Sequence, residues 1–260
     1  MFIHFLITLL SPQFYFTHSN IRALTDTSMN ISGNSISTYW TMDYKKNYFS
    51  FAYDNYSENW QPEVFRQDMF SLGYSREILH LTGIRVVGFH IFDSYENTST
   101  TLSTRLLYGY NPIYTLGYAF SCYARQYWDG KISYAVHRIN PELRFLLHKK
   151  IWIMPGISYT IAEKEKYFSF PLTVSSNILY DGSFWTKFNM EINAAYGKGF
   201  YNVDDRLLII NNRPDIEKMK ISGKIKYDFN KRIQLIAIGG KDVFEIYDII
   251  YCSIGLKINI

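Results

Sequence analysis

The last eleven residues alternate without an error. Ile250, Cys252, Ile254, Leu256, Ile258 and Ile260 take every second position, with Tyr251, Ser253, Gly255, Lys257 and Asn259 between them. A β-strand sends successive side chains to opposite faces, so this segment has one apolar and one polar face. On a helix both sets would be smeared around the surface. The C-terminus is therefore a strand that must bury or coat one of its faces.

The same period recurs along the chain. Phe184, Thr186, Phe188, Met190, Ile192, Ala194 and Tyr196 share one face, opposite Trp185, Lys187, Asn189, Glu191, Asn193 and Ala195. Met219, Ile221, Gly223, Ile225, Tyr227 and Phe229 alternate with Lys218, Lys220, Ser222, Lys224, Lys226 and Asp228. Tyr114, Leu116, Tyr118, Phe120, Cys122 and Ala124 lie opposite Thr115, Gly117, Ala119, Ser121, Tyr123 and Arg125. Leu102, Leu106, Tyr108 and Tyr110 oppose Ser103, Arg105 and Gly109. Weaker alternation marks 36–44, 46–55, 64–76, 82–92, 131–138, 142–148, 150–161, 166–178 and 231–239. Turn-forming pairs punctuate these runs at Asn111-Pro112, Asp129-Gly130, Asp181-Gly182 and Asn230-Lys231. Asn140-Pro141 reads as another turn or as a bulge in one long strand. The expected connections 56–62, 93–99 and 197–213 are loops, and no segment carries a helical stripe.

Two architectures accept many alternating strands. A soluble sandwich or barrel turns the apolar face inward and uses strands of about five or six residues. A transmembrane barrel turns that face to lipid and needs strands of about nine to eleven residues or more. Here the strands are long, and the opposing face is small and polar, as the lumen of a narrow barrel requires. Aromatic residues make up 18% of the chain, and many sit at strand ends, as Tyr108, Tyr110, Tyr196, Phe200, Tyr227 and Phe229 do. That placement suits the aromatic girdles of a membrane interface. No run of about 18 apolar residues exists to form a spanning helix.

On these strands the chain resembles bacterial outer-membrane β-barrel proteins over residues 36–260. The resemblance implies an all-β fold: a single antiparallel up-and-down transmembrane barrel. About twelve strands fit the chain length, with about fourteen or ten as alternatives. It also implies location in the outer membrane, lipid and lipopolysaccharide around the wall, and folding by the barrel-assembly machinery. The C-terminal strand is similar to the signal that machinery reads, except that it ends in Ile260 rather than an aromatic residue. Residues 1–19 are expected to be a signal peptide. Phe2 to Leu10 form a short apolar run before Ser11-Pro12, and Thr17 and Ser19 offer small residues for cleavage, although no Lys or Arg precedes Arg22. Residues 20–35, rich in Ser, Thr and Asn, are expected to be an exposed lead-in.

With apolar faces outward, the lumen-facing cations are Arg105, Arg125, Arg144, Lys187, Lys218, Lys220, Lys224, Lys226, Arg232 and Lys257. Their acidic partners are Glu142, Glu191 and Asp228. Rings of Lys and Arg build anion-selective pores, so a narrow pore or structural barrel admitting small anionic solutes is expected. The competing reading is a closed interior in which these cations pair with carboxylates. Trp185, Tyr123 and Tyr251 also fall inside, as interior packing or as a surface on which sugars stack.

Other chemistries find little support. A lipid-modifying barrel enzyme needs a nucleophile, a His and an orienting group brought together. His137 and Ser133 lie about 13 Å apart along one strand face, too far to touch. His90 and Asp93 offer an acid–base pair at a strand end. No catalytic constellation, cofactor or metal site is expected. Gly197-Lys198-Gly199 lacks the hydroxyl residue and helix of a phosphate loop. Cys122 and Cys252 fall on outward positions and are expected to be free thiols. A net charge of +4 does not by itself point to nucleic acid, and no nucleic-acid partner is expected. A secreted soluble β-sandwich or barrel binding carbohydrate is the remaining alternative.

Overall fold

The computed structural model describes residues 13–25, 30–44, 46–60, 63–79, 81–127, 130–148, 151–163, 165–178, 188–199, 203–204, 209–210, 216–230, 232–245 and 247–259. Strands run through nearly all of them. They are β1 (Gln13–Thr25), β2 (Asn30–Tyr44), β3 (Asn47–Trp60), β4 (Glu63–Leu79), β5 (Thr82–Asp93), β6 (Thr98–Gly109) and β7 (Ile113–Tyr127). Next come β8 (Gly130–His148), β9 (Ile151–Pro155), β10 (Ser158–Ala162), β11 (Glu165–Ile178) and β12 (Phe188–Gly199). A two-residue ribbon, β13 (Val203–Asp204) with β14 (Ile209–Ile210), sits in a long connection. The chain ends with β15 (Glu217–Asp228), β16 (Ile233–Phe244) and β17 (Tyr247–Asn259).

Every strand of the wall pairs antiparallel with its neighbour in sequence, and β1 pairs with β17 from Gln13↔Asn259 to Thr25↔Tyr247. The sheet is thereby closed and has no edge. In lipid, an open edge would leave backbone groups unpaired at a cost of several kcal/mol each. β9 and β10 are two halves of one stave between β8 and β11, so the described wall has 14 strands rather than about twelve. Two departures from the sequence reading cancel in part. The segments 131–138 and 142–148 fuse through Asn140-Pro141 into β8. The extra stave is β1, in the stretch read as signal and lead-in, and β2 begins at Asn30 rather than near residue 36. The apolar run Phe2–Leu10 lies outside the described residues, and the expected cleavage after Ser19 falls inside β1.

Three prolines meet where that stave is broken. Pro155 ends β9 and pairs with Leu172, next to Pro171 on β11, and Pro141 lies on β8 across from Ile157. None of the three can donate a ladder hydrogen bond. The chain crosses the gap on two bonds, Gly156 N–H to Pro171 O (2.8 Å) and Ile157 N–H to Pro141 O (3.0 Å). Gly156 fits because a Cβ there would press on Glu142 and Pro171 at 3.0 and 3.2 Å.

The apolar faces point outward. Ile36, Trp40, Phe51, Leu72, Leu102, Leu106, Leu116, Ile192, Ile221, Ile225, Ile254 and Leu256 are all exposed on the wall. On β4 the outward Phe70, Leu72 and Tyr74 are bracketed by Asp68 and Arg76. Those eight residue steps span about 26 Å along the strand, or about 20 Å along the axis at a tilt of about 40°. That is most of the apolar band, about 25 Å tall, that a membrane barrel presents. The termini of the wall, Gln13 and Asn259, are paired at one end, and the long 200–216 connection is at the other.

Candidate functional site

The inward positions follow from strand register. Glu191 of β12 pairs with Lys224 of β15, Asn193 with Ser222, and Ala195 with Lys220. On the other side of β15, Lys220 pairs with Asp242 of β16, Lys224 with Ile238 and Lys226 with Ile236. Gln234 of β16 pairs with Lys257 of β17, and Gly240 with Tyr251. Lys220, Lys224, Lys226 and Lys257 therefore share the inner face with Glu191, Asn193, Ser222 and Tyr251.

This part of the lining is hydrogen bonded across strands. Thr173 Oγ1 donates to Asn193 Oδ1 (2.7 Å), and Asn193 Nδ2 donates to Glu191 Oε1 (3.0 Å). Lys220 Nζ donates to Asp242 Oδ2 at 3.3 Å. At the end that carries the termini, Gln234 Nε2 donates to Asp228 Oδ1 at 2.5 Å. A Cβ on Gly240 would overlap the Tyr251 hydroxyl at 2.5 Å and its ring at 2.6 Å, so glycine there is what lets the ring lie against the wall.

The opposite part of the lumen is packed differently. Arg105 Nη1 on β6 donates to Glu142 Oε2 on β8 at 2.8 Å, and both side chains are buried. Arg138 Nε donates to Ser158 Oγ (2.7 Å) and Asn140 Oδ1 (3.0 Å). Arg144 lies over the Trp152 ring, 4.5 Å from its centroid. Thr101 Oγ1 donates to Ser121 Oγ at 2.7 Å, and both residues are buried. Beside them Val87, Phe89, Ile91, Met69, Ala52 and Ala119 form an apolar cluster with Tyr39 against it. Val87 and Ile91 are 0% exposed although they face inward, so this side of the lumen is filled by side chains.

Several expected site residues stand elsewhere. Lys218 is exposed at the register shift between Glu217 and Met219, which breaks the alternation that would have turned it inward. Arg232 is exposed in the turn between β15 and β16, not on a strand. Arg125 is half-buried near the end of β7. Lys187 and Trp185 lie outside the described residues, as does Ile260. The inner face also carries carboxylates absent from the sequence reading: Asp54, Glu58, Glu217 and Asp242, of which Glu58 is 1% exposed and accepts from the Tyr56 hydroxyl. Strict alternation in 46–55 would have placed Asp54 there. Glu58 lies past the expected strand end.

The His residues do not assemble a reactive site among the described residues. His90 points outward and bonds Thr100 Oγ1 at 3.0 Å. Asp93 lies on the other face and caps the β5–β6 turn, accepting from the backbone N–H groups of Tyr95 (2.9 Å) and Asn97 (3.0 Å). The expected His90–Asp93 pair is therefore not formed, because successive strand positions alternate faces. His137 is also outward, against Phe120 and bonded to the Tyr118 hydroxyl at 2.9 Å. Among the described residues no group of His, Cys, Asp and Glu could hold a metal ion.

Solved structures share this architecture. The toluene transporter TodX of Pseudomonas putida matches over 96% of this chain and 90% of its own, with a TM-score of 0.65 at 8% identity. The monoaromatic hydrocarbon channel CymD matches over 96% of this chain and 88% of its own, with a TM-score of 0.63 at 6% identity. The fold is that of the bacterial outer-membrane β-barrels. No family model matches the sequence, and no curated protein matches it.

Proposed function

We propose that this protein is a passive channel of the bacterial outer membrane, with a narrow off-centre path lined by lysine. The carrying observation is the unequal filling of the lumen. On β5–β7 and β10 the inward Val87, Ile91, Ser99, Thr101, Ser121, Ser158 and Thr160 are all 2% exposed or less. On β12, β15 and β17 the inward Glu191, Asn193, Lys220, Lys224, Lys226, Tyr251 and Lys257 keep intermediate exposure, while the short Ser222 and Ser253 among them are buried. A path for water and solute therefore runs along the lysine side. There the row Lys220, Lys224, Lys226 and Lys257 favours small anions, while Glu191 and Asp242 temper the field. The solid wall opposite is why we read a slender pore and not a wide one. Channel activity in TodX and CymD agrees with this reading in kind. No enzymatic chemistry enters it.

Planar-bilayer recording tests the proposal. The expected result is a small conductance with a reversal potential displaced toward anions. Lys224→Glu with Lys226→Glu should move that potential toward cations without loss of the folded barrel. Absence of conductance from folded protein would overturn the channel. Cation preference in the unmodified protein would overturn the role of the lysines.

A further inference from the structure

The outer wall carries a recess that the channel does not use. It lies on β2–β5 and is lined by Trp40, Met42, Phe49, Phe51, Leu72 and Tyr74, with Val86 and Gly88 closing one side, and its volume is about 610 Å³. Sites for small organic ligands occupy about 300–1,000 Å³, so this open recess is of ligand size. Gly88 makes the depth. It points outward with β5, and a Cβ built on it would meet nothing within 4 Å. The rim is aromatic: Phe49 and Tyr74 pack with centroids 5.3 Å apart and ring planes tilted by 46°, and the Tyr74 hydroxyl donates to Asn47 Oδ1 at 2.8 Å.

Charge marks one mouth of the recess. Arg76 follows Tyr74 on the same outward face of β4, toward the end that carries the chain termini, and it pairs across the sheet with Asn47 and Ile84. It is exposed and forms no ion pair with a described acidic residue. Lys46, in the adjacent β2–β3 turn, is 70% exposed and is held 3.2 Å from Glu77. Arg76 also stands at the edge of the apolar band, where lipid phosphates lie.

We infer that this recess binds one phospholipid, with an acyl chain between Trp40, Phe51, Leu72 and Val86 over Gly88 and its phosphate on Arg76. Arg matches a phosphate with paired N–H donors, and an aromatic rim fits the region just below the headgroups. A second copy of this chain is the rival occupant. A two-fold contact through this patch would set Arg76 and Lys46 of one copy near those of the other, a like-charge contact that a lipid phosphate avoids. The inference rests on the barrel being membrane-inserted, so its test separates the two failures.

The experiment is native mass spectrometry of the detergent-purified full chain titrated with phosphatidylglycerol, comparing it with Gly88→Phe, Gly88→Leu and Arg76→Gln. One retained lipid per barrel is expected. Filling the recess at Gly88 should lower its occupancy at least tenfold, and Arg76→Gln several-fold. The leucine variant carries the test where phenylalanine prevents folding, and a heat-dependent gel shift verifies the barrel in each. Equal occupancy in all four proteins would overturn the site. A dimer that Gly88→Leu dissolves, with no retained lipid, would overturn it in favour of a second copy. A chain that stays soluble and folded without detergent would overturn the membrane reading itself.

Discussion

Arg105 reaches Glu142 across an intervening strand. The guanidinium leaves β6, passes over Gly117 of β7 and meets the carboxylate on β8 at 2.8 Å, with both side chains under a tenth exposed. A Cβ on Gly117 would meet the pair only at ordinary contact distance, 3.9 Å from Arg105 Nε and 3.4 Å from Asn140 Cβ. A buried pair of this kind costs desolvation to form, but breaking it strands a charge. Glu142→Gln is expected to destabilise the barrel by about 3–5 kcal/mol, whereas replacing both partners by apolar residues of like volume should cost much less. Urea unfolding in detergent, followed by tryptophan fluorescence, measures both, and equal losses would refute the pairing as the cause.

Gly197 holds a backbone conformation that residues with a side chain rarely adopt. Its φ is +112°, and a Cβ would come within 2.5 Å of Phe168 O and 2.9 Å of Ser169 Cα. The β12–β15 register shifts between Tyr196 and Gly199, so the glycine pair serves a bulge and not an anion loop. Gly197→Ala should lower stability by about 1–3 kcal/mol. The same change at Gly223, where a Cβ meets nothing, should stay within about 1 kcal/mol of the parent protein.

The broken stave should open before the rest of the wall. β9 and β10 have five residues each and flank a gap spanned by two backbone bonds, whereas β6 and β7 pair continuously over twelve positions. Local opening follows such differences in bonded length. Amides of Ile151–Ala162 are expected to exchange with deuterium at least tenfold faster than those of Thr100–Leu106. Equal protection would mean the proline row does not weaken the wall.

Cys122 and Cys252 are free, exposed and outward, on staves separated by β1 to β6. Both thiols should react in denatured, unreduced protein. In vesicles, a membrane-soluble maleimide should label them while a charged one does not. Labelling by the charged reagent alone would place that face in water.

Cleavage after Ser19 would remove Gln13–Ser19 and with them half of the β1–β17 pairing. N-terminal sequencing of the mature protein is therefore expected to find Gln13 retained. A mature N-terminus at Asn20, with the barrel intact, would show that the remaining half-strand suffices for closure.

Much of this fold was legible in the sequence because alternation is local. Ile250–Ile258, Tyr114–Cys122 and Met219–Tyr227 each declare a strand and its outward face without reference to any other segment. What alternation cannot encode is which strand lies beside which, or in what register. β1 was hidden because QFYFTHSNIRALT has no clean period, and only its pairing with β17 makes it the closing stave. The inward cluster at Val87, Phe89 and Ile91 was hidden because VVGFHIF is apolar on both faces. Arg105 and Glu142 are 37 residues apart, and their meeting depends on the register of three strands at once. Local alternation declared most of the strands and the side each of those turns to its surroundings. Closure, strand number and the split lining of the lumen were decided by tertiary pairing, because non-local backbone hydrogen bonds set those distances.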